Sequence, residues 1–359
     1  MIIATNEYLQ AKRLLREALD VFCEYEMISL KVEVLRLLLN PVFKGVIKQK
    51  EARKLRDDYE KSNLQAFCLN QTHLIVYDIN ALYGKTEKKN YLEKLEDRVN
   101  RLEELWESSQ LTTVYNQYVK AQELILQAQG QWQILLEVLN HSEKLVEAGK
   151  LSAKLFDLNR IRNMKTFTLT MVKQYEAAIN YAQKQLKYFE KEEYNYYLFQ
   201  LNHALALIYA KRYKQVIMLV KELEKSRNWK MLIASYKEQF YLIRAYARFF
   251  SGEPINYNDL YNRMVKLRRN SLGVGISMRI LELLIDFKSQ NIDAFERKLK
   301  NLQTSLYSQT KVKKQTKTRT NRFLLLLWKV VKYRQLSMEE IKEKSRYLYK
   351  RLSKQAFEG

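Results

Sequence analysis

Residues 173–186 read KQYEAAINYAQKQL, and residues 211–223 read KRYKQVIMLVKEL. Each stretch opens on a basic residue, a polar one and a tyrosine. Each then sets small or apolar residues at steps of three and four: Tyr175, Ala178, Ile179, Ala182 and Leu186 in the first, Tyr213, Val216, Ile217, Val220 and Leu223 in the second. Such steps return to one face of an α-helix. The second stretch follows Ala204-Leu205-Ala206-Leu207, which closes an earlier apolar helix. Lys211-Arg212-Tyr213 therefore sits at a joint between two helices.

The same grammar recurs outward from here. Gln129-Gly130-Gln131-Trp132 ends one periodic segment and opens another, continued by Ile134, Leu135 and Leu139. Near the start, Tyr8, Ala11, Leu15, Ala18 and Leu19 share a helical face, and the two alanines let a neighbouring helix come close. The joint aromatics Trp132, Tyr175 and Tyr213 lie 43 and 38 residues apart. A period of this size means stacked helix pairs. No single pair buries its apolar face; its neighbours complete it, and a superhelical stack results.

Composition agrees. Only 2 Pro and 8 Gly occur among 359 residues. Proline removes an amide donor and clashes inside helices, while glycine supplies positive-φ turns. A chain so poor in both is built almost wholly of helices with short joints. Hydrophobic residues make up 47%, enough for a continuous core.

Periodicity predicts helices near 5–24, 27–40, 47–83, 90–108, 111–129, 131–147, 150–171, 173–190, 194–210, 213–226, 229–250, 256–268, 274–289, 292–308, 319–335 and 338–354. The last opens on Ser337-x-x-Glu340, a capping-box signature. The clearest breaks are Asn40-Pro41, Tyr83-Gly84, Ser251-Gly252-Glu253-Pro254 and 309–318. The expected fold is all-α: a right-handed α-solenoid over 1–308, then a basic turn and C-terminal helices over 309–359 packed on its end.

With these residues in place, the chain resembles tetratricopeptide-repeat (TPR) proteins. The resemblance rests on Tyr175, Ala178 and Leu186 in one repeat and on Ala204, Tyr213, Val216 and Val220 in the next. It implies degenerate TPR-like helix pairs. The small residue expected early in the first helix is missing near Thr166, Glu190 replaces the closing proline, and the spacing is long. The groove residues of regular members therefore do not transfer. The order of segments also resembles a family of helical-repeat proteins common in Bacteroidota, through Tyr8–Leu39, Leu92–Leu105, Ala153–Lys225 and Asp293–Arg334. That likeness implies an architecture and carries no known active site.

Tyr8–Leu19 reads as the second helix of a repeat, with only seven residues before it. Either Met1 is not the native start, or this edge packs on a partner or a second copy, or the helix simply caps the stack. The first residues have neither the basic nor the apolar region of a signal peptide. No apolar run reaches the ~20 residues that span a bilayer. A soluble cytoplasmic protein is expected. Cys23 and Cys68 lie far apart in apolar helical stretches and are expected to be buried free thiols. Asn70-Gln71-Thr72 matches a glycosylation triplet, but without a secretory signal it reads as chance.

Catalytic patterns are missing. His73, His141 and His203 are widely spaced, with no H-x-x-x-H or C-x-x-C arrangement to hold a metal. There is no phosphate-binding loop; Gly273-Val274-Gly275 is too short for a dinucleotide fingerprint and reads as a helix joint. No nucleophile elbow or Cys/His pair is present. Glu93, Glu96, Glu103 and Glu104 read as solvated ion-pairing residues. The expectation is a non-enzyme without metal or cofactor.

Charge supplies the best local anomaly. The chain carries a net charge of +23. Residues 311–322, KVKKQTKTRTNR, hold six cations and no acid, and 311–359 carries 15 Lys/Arg against 4 Glu. Lys311, Lys313, Lys314, Lys317, Arg319 and Arg322 form a candidate anion-binding patch, with Tyr333, Tyr347 and Tyr349 as nearby stacking surfaces. The plain reading is a solvated loop between helices. Richness in Lys, Asn, Tyr and Ile, typical of AT-rich genomes, gives the charge a compositional explanation as well. Tyrosines cluster at 194, 196 and 197 and at 236, 241 and 246, as core or as a partner groove.

The sequence thus predicts a scaffold that binds a protein or peptide partner along the solenoid groove. The alternative is a nucleic-acid-associated protein that uses the basic C-terminal patch. A weaker third reading is self-association through the N-terminal edge. The partner, the groove residues and the oligomeric state are not encoded in any motif.

Overall fold

The computed structural model describes residues 2–83, 91–191, 193–255, 260, 262, 272–309, 319–332, 339, 340, 343, 345 and 346. Among them every regular element is helical. The α-helices are α1 (Ile2–Glu24), α2 (Ile28–Leu38), α3 (Gln49–Tyr83), α4 (Tyr91–Ser109), α5 (Thr112–Gln129), α6 (Trp132–Glu147), α7 (Leu158–Met171) and α8 (Tyr175–Gln185). They continue with α9 (Tyr194–Tyr209), α10 (Tyr213–Lys225), α11 (Ala234–Ser251), α12 (Leu272–Lys288), α13 (Ile292–Gln309) and α14 (Arg319–Lys332). Successive helices pack in adjacent pairs.

The chain divides into two units. One comprises Met1–Gln127 and Glu137–Ile161; the other comprises Ala128–Leu136 and Arg162–Gly359. In the first, α1 packs on α2, α2 on α3 and α3 on α4. Leu19, Val34, Leu35, Leu38 and Leu55 form one core cluster. Helix α5 buries residues around most of its circumference, among them Val114, Tyr115, Tyr118, Val119 and Ile125. In the second unit Ala178, Ile179, Leu201, Ala204, Leu207, Val216, Val220 and Phe240 share a core. These include the small and apolar positions whose spacing signals helix pairs. Smaller clusters follow around Leu281 and around Phe295 and Leu324.

The joints explain how so few glycines suffice. Glu26, Lys173, Lys211 and Gln290 take positive φ, as do Gly149 and Gly252. At each, the next amide reaches back five residues: Met27 to Phe22, Lys150 to Leu145, Gln174 to Leu169, Arg212 to Leu207, Glu253 to Arg248 and Asn291 to Asp286. This is the Schellman closure, which satisfies carbonyls left open at a helix end. Lysine, glutamine and glutamate here hold a left-handed conformation that glycine adopts without strain.

Three boundaries depart from the periodicity. The helix expected over 150–171 begins at Leu158. The preceding segment is held by tertiary hydrogen bonds instead: Ser152 N–H donates to Thr112 Oγ1, Asn116 Nδ2 donates to Leu155 O, and the Asp157 N–H donates to Asn116 Oδ1. Asp157 Oδ1 then accepts the Arg160 N–H, a helix N-cap. The helix expected over 229–250 splits into a 3-10 turn at Arg227–Met231 and α11. Ser226 caps that turn, and Trp229 sinks into the core. The helix expected over 173–190 ends at Gln185 in a further 3-10 turn, Leu186–Tyr188. By contrast, the segment expected over 47–83 forms one unbroken helix from Gln49 to Tyr83.

One cysteine also departs from expectation. Cys68 is buried, but Cys23 is exposed. The core of α1 runs through Leu15, Leu19 and Phe22, which turns the next residue, Cys23, outward. The helices expected at 256–268 and 338–354 fall largely outside the described residues. So does Ser337.

Candidate interaction surface

In the second unit one contact recurs at three helix joints. Trp132 opens α6 and meets Phe167 of α7 edge-on, centroids 5.6 Å apart. Tyr175 opens α8 and stacks on Tyr209, the last residue of α9, at 5.8 Å. Tyr213 opens α10 and stacks on Phe250 near the end of α11, at 5.6 Å. The first residue of one helix therefore seats on the late part of the next helix. An open cleft of about 480 Å3 runs along the middle contact, lined by Lys173, Tyr175, Glu176, Tyr209 and Lys211. Arg212 bridges to Glu176 beside it at 2.5 Å.

The same unit displays polar and cationic groups on aromatic supports. The Arg162 guanidinium lies 3.9 Å above the Tyr188 ring, and Lys165 Nζ lies 4.7 Å above Tyr181. Asn202 Nδ2 donates to Asn163 Oδ1 at 2.8 Å, joining α7 to α9. The tyrosine clusters divide between core and surface. Tyr197 is buried and Tyr194 is exposed, packed edge-on against Tyr236 at 4.7 Å. Tyr246 donates to Ser277 O at 2.8 Å, and burial pushes its phenol well above the usual range.

His203 is buried on α9. Its Nδ1 lies 3.3 Å from Gln200 Oε1, and Nε2 has no hydrogen-bond partner. Burial lowers its pKa to about 4, so the ring is neutral at physiological pH. His73 and His141 are exposed. Among the described residues no group of three or more His, Cys, Asp or Glu is arranged to hold a metal.

The first unit carries a buried ion pair that periodicity does not reveal. Glu123 of α5 contacts Arg160 of α7 at 2.5 Å, with side-chain exposures of 7% and 18%. Burial pushes the Glu123 carboxyl up to about 7, against the pull of Arg160. A charged residue at a core-facing helical position is the available sequence signal, but its partner is 37 positions away. Of the four glutamates expected to be solvated, Glu93, Glu96 and Glu104 are exposed, and Glu104 pairs with Arg101. Glu103 is half-buried and accepts the Tyr118 hydroxyl at 2.7 Å. Its neighbourhood is an aromatic cluster of Trp106, Tyr115, Tyr118 and Phe156.

Of the candidate anion-binding residues, Lys311, Lys313, Lys314 and Lys317 lie outside the described residues. Arg319 and Arg322 belong to the first turn of α14. The boundary drawn at 308/309 falls at the end of α13. Tyr333, Tyr347 and Tyr349 are outside the described residues. No described helix is long and apolar enough to cross a membrane. Compared with family models, curated proteins and solved structures, the chain matches none of them.

Proposed function

We propose that this chain is a non-catalytic, cytoplasmic interaction scaffold: a right-handed α-solenoid of degenerate TPR-like helix pairs that holds a protein or peptide partner along its groove. The observation that supports this reading is the recurring hairpin. A positive-φ joint at Gly130, Lys173 or Lys211 is followed two residues later by Trp132, Tyr175 or Tyr213. Each of these aromatics seats on the following hairpin. Repeated contacts of this kind are how solenoids extend a binding surface without enlarging a single core. In this reading Arg162, Lys165 and Tyr194 present cation and ring to the partner.

A second reading keeps the basic C-terminal patch as a nucleic-acid contact. Six cations within residues 311–322 favour it. One experiment separates the two. The tagged chain is recovered from its native cytoplasm with and without nuclease. A protein partner that persists after digestion, and that Arg162→Ala with Lys165→Ala weakens, supports the groove. Partners lost on digestion, with nucleic acid retained until Lys313, Lys314, Lys317 and Arg319 are neutralised, support the patch.

A further inference from the structure

Helix α3 presents a face that no other described residue of its unit covers. Leu64, Phe67, Leu74 and Tyr77 are 49%, 53%, 61% and 73% exposed. The opposite face buries Cys68, Thr72, Ile75 and Ile79, and α2 and α4 pack on α3. From Ser62 to Tyr77 there is no Lys, Arg, Asp or Glu, in a chain that is 29% charged. The outward residues Asn63, Phe67, Asn70, Leu74 and Tyr77 follow steps of four, three, four and three. That is the seam spacing of two helices wound together.

We infer that this seam pairs with the same seam of a second copy, with the two α3 helices parallel. The amides decide the occupant. Asn63 and Asn70 lie within the seam, seven residues apart; Asn63 Nδ2 donates to Tyr59 O at 3.0 Å, and pairing removes the remaining polar atoms of both amides from water. A buried amide needs a polar partner, and without one its desolvation is uncompensated. In a parallel pair related by a two-fold axis each seam residue meets its own counterpart. Asn63 meets Asn63, Asn70 meets Asn70, and Phe67, Leu74 and Tyr77 meet their equals. In the antiparallel arrangement Asn70 faces Leu74 and its amide is stranded.

Electrostatics set where two copies meet at least cost. Two copies at +23 each repel at long range. A charge-free stretch is where their approach costs least, and it offers no cation to a phosphate backbone. The seam from Asn63 to Tyr77 is about 21 Å long at 1.5 Å per residue. An interface this short lies at the small end, below about 1,200 Å2 in total, where association is reversible. The expected dimer is therefore micromolar, and added salt tightens it by screening the mutual repulsion.

The test is sedimentation velocity on the nuclease-treated full chain from about 1 to 200 µM, at about 0.05 and 0.5 M salt. The expected result is a monomer–dimer equilibrium that strengthens with salt. Phe67→Glu with Leu74→Glu weakens it at least tenfold; Leu14→Glu, exposed on α1, leaves it unchanged. In a Cys23→Ser background, mild oxidation of Asn63→Cys traps a covalent dimer linked at that position. A monomer across the whole range overturns the inference. So does a dimer indifferent to charge at 67 and 74. Cross-linking of Phe67→Cys to Tyr77→Cys in preference to Asn63→Cys with itself overturns the parallel register.

Discussion

The ring of Tyr175 lies nearly parallel to that of Tyr209, with 5.8 Å between centroids and 11° between planes. Tyr175 begins α8 and Tyr209 ends α9, so the stack ties the second helix of one pair to the first helix of the next. Offset aromatic pairs contribute about 0.5–1.5 kcal/mol beyond the area they bury. Tyr175→Ala and Tyr209→Ala are each expected to destabilise the fold. Their double-mutant cycle should return a coupling of about 0.5–1.5 kcal/mol in urea unfolding. Additive effects would show that the rings merely share a surface.

Lys173 and Lys211 hold φ of 66° and 61° at helix ends. A left-handed L-residue costs roughly 1–2 kcal/mol, which glycine avoids, although glycine also loses more freedom on folding. Lys211→Gly and Lys173→Gly should each raise stability by about 0.5–1 kcal/mol. The midpoint of denaturant unfolding checks this; a fall in midpoint would mean that the lysine side chains contribute more than the strain removes.

Glu26 closes α1 in a positive-φ turn, yet its carboxylate serves a different helix. It accepts the amides of Thr112 and Thr113 at 2.7 and 2.8 Å and the Thr113 hydroxyl at 2.7 Å. A carboxylate at a helix N-terminus caps open donors and meets the positive end of the helix dipole. Glu26→Ala should cost about 2 kcal/mol. Glu26→Gln should recover part of it, because an amide oxygen still accepts. Equal losses for both variants would assign the effect to charge alone.

His203 makes stability depend on acid. Its folded pKa is about 4, against an ordinary 6.5. Between those values the unfolded chain binds a proton that the folded chain does not. Stability is therefore lost as pH falls from 6.5 towards 4, by up to about 3 kcal/mol. Glu123 acts in the opposite sense, since its raised pKa makes stability grow as pH falls from 7 towards 4.5. Comparing the native chain with His203→Gln isolates the histidine: the acid loss between 6.5 and 4 should shrink in the variant. Superimposable pH profiles would show that the ring is solvated.

Much of the architecture was legible because helix formation here is a local matter. Steps of three and four, scarce Pro and Gly, and a tyrosine after each basic joint place α9 and α10 within a residue and the start of α8 within two. Ala178, Ala204, Val216 and Val220 are read as core and are fully buried. The joints at Lys173 and Lys211 are visible as joints, but their left-handed geometry is not, since lysine gives no sign of it.

The candidate surface was less legible. Asn116 holding residues 155 and 157, Glu26 capping α5, and Glu123 meeting Arg160 join positions 37 to 87 residues apart. No periodicity carries such pairings. The late start of α7 follows from them: backbone polar groups of 152–157 found partners on α5 and had no need of helix. Cys23 and Cys68 make the same point. Both lie in apolar helical stretches, but which face of α1 and α3 meets a neighbour is settled only when the helices pack. The sequence by itself determined that this chain is helical, paired and rich in cations, because those properties reside in spacing and composition. Tertiary structure decided which polar groups are buried, which rings stack and which face of α3 is left open, because each depends on a partner brought close only by folding.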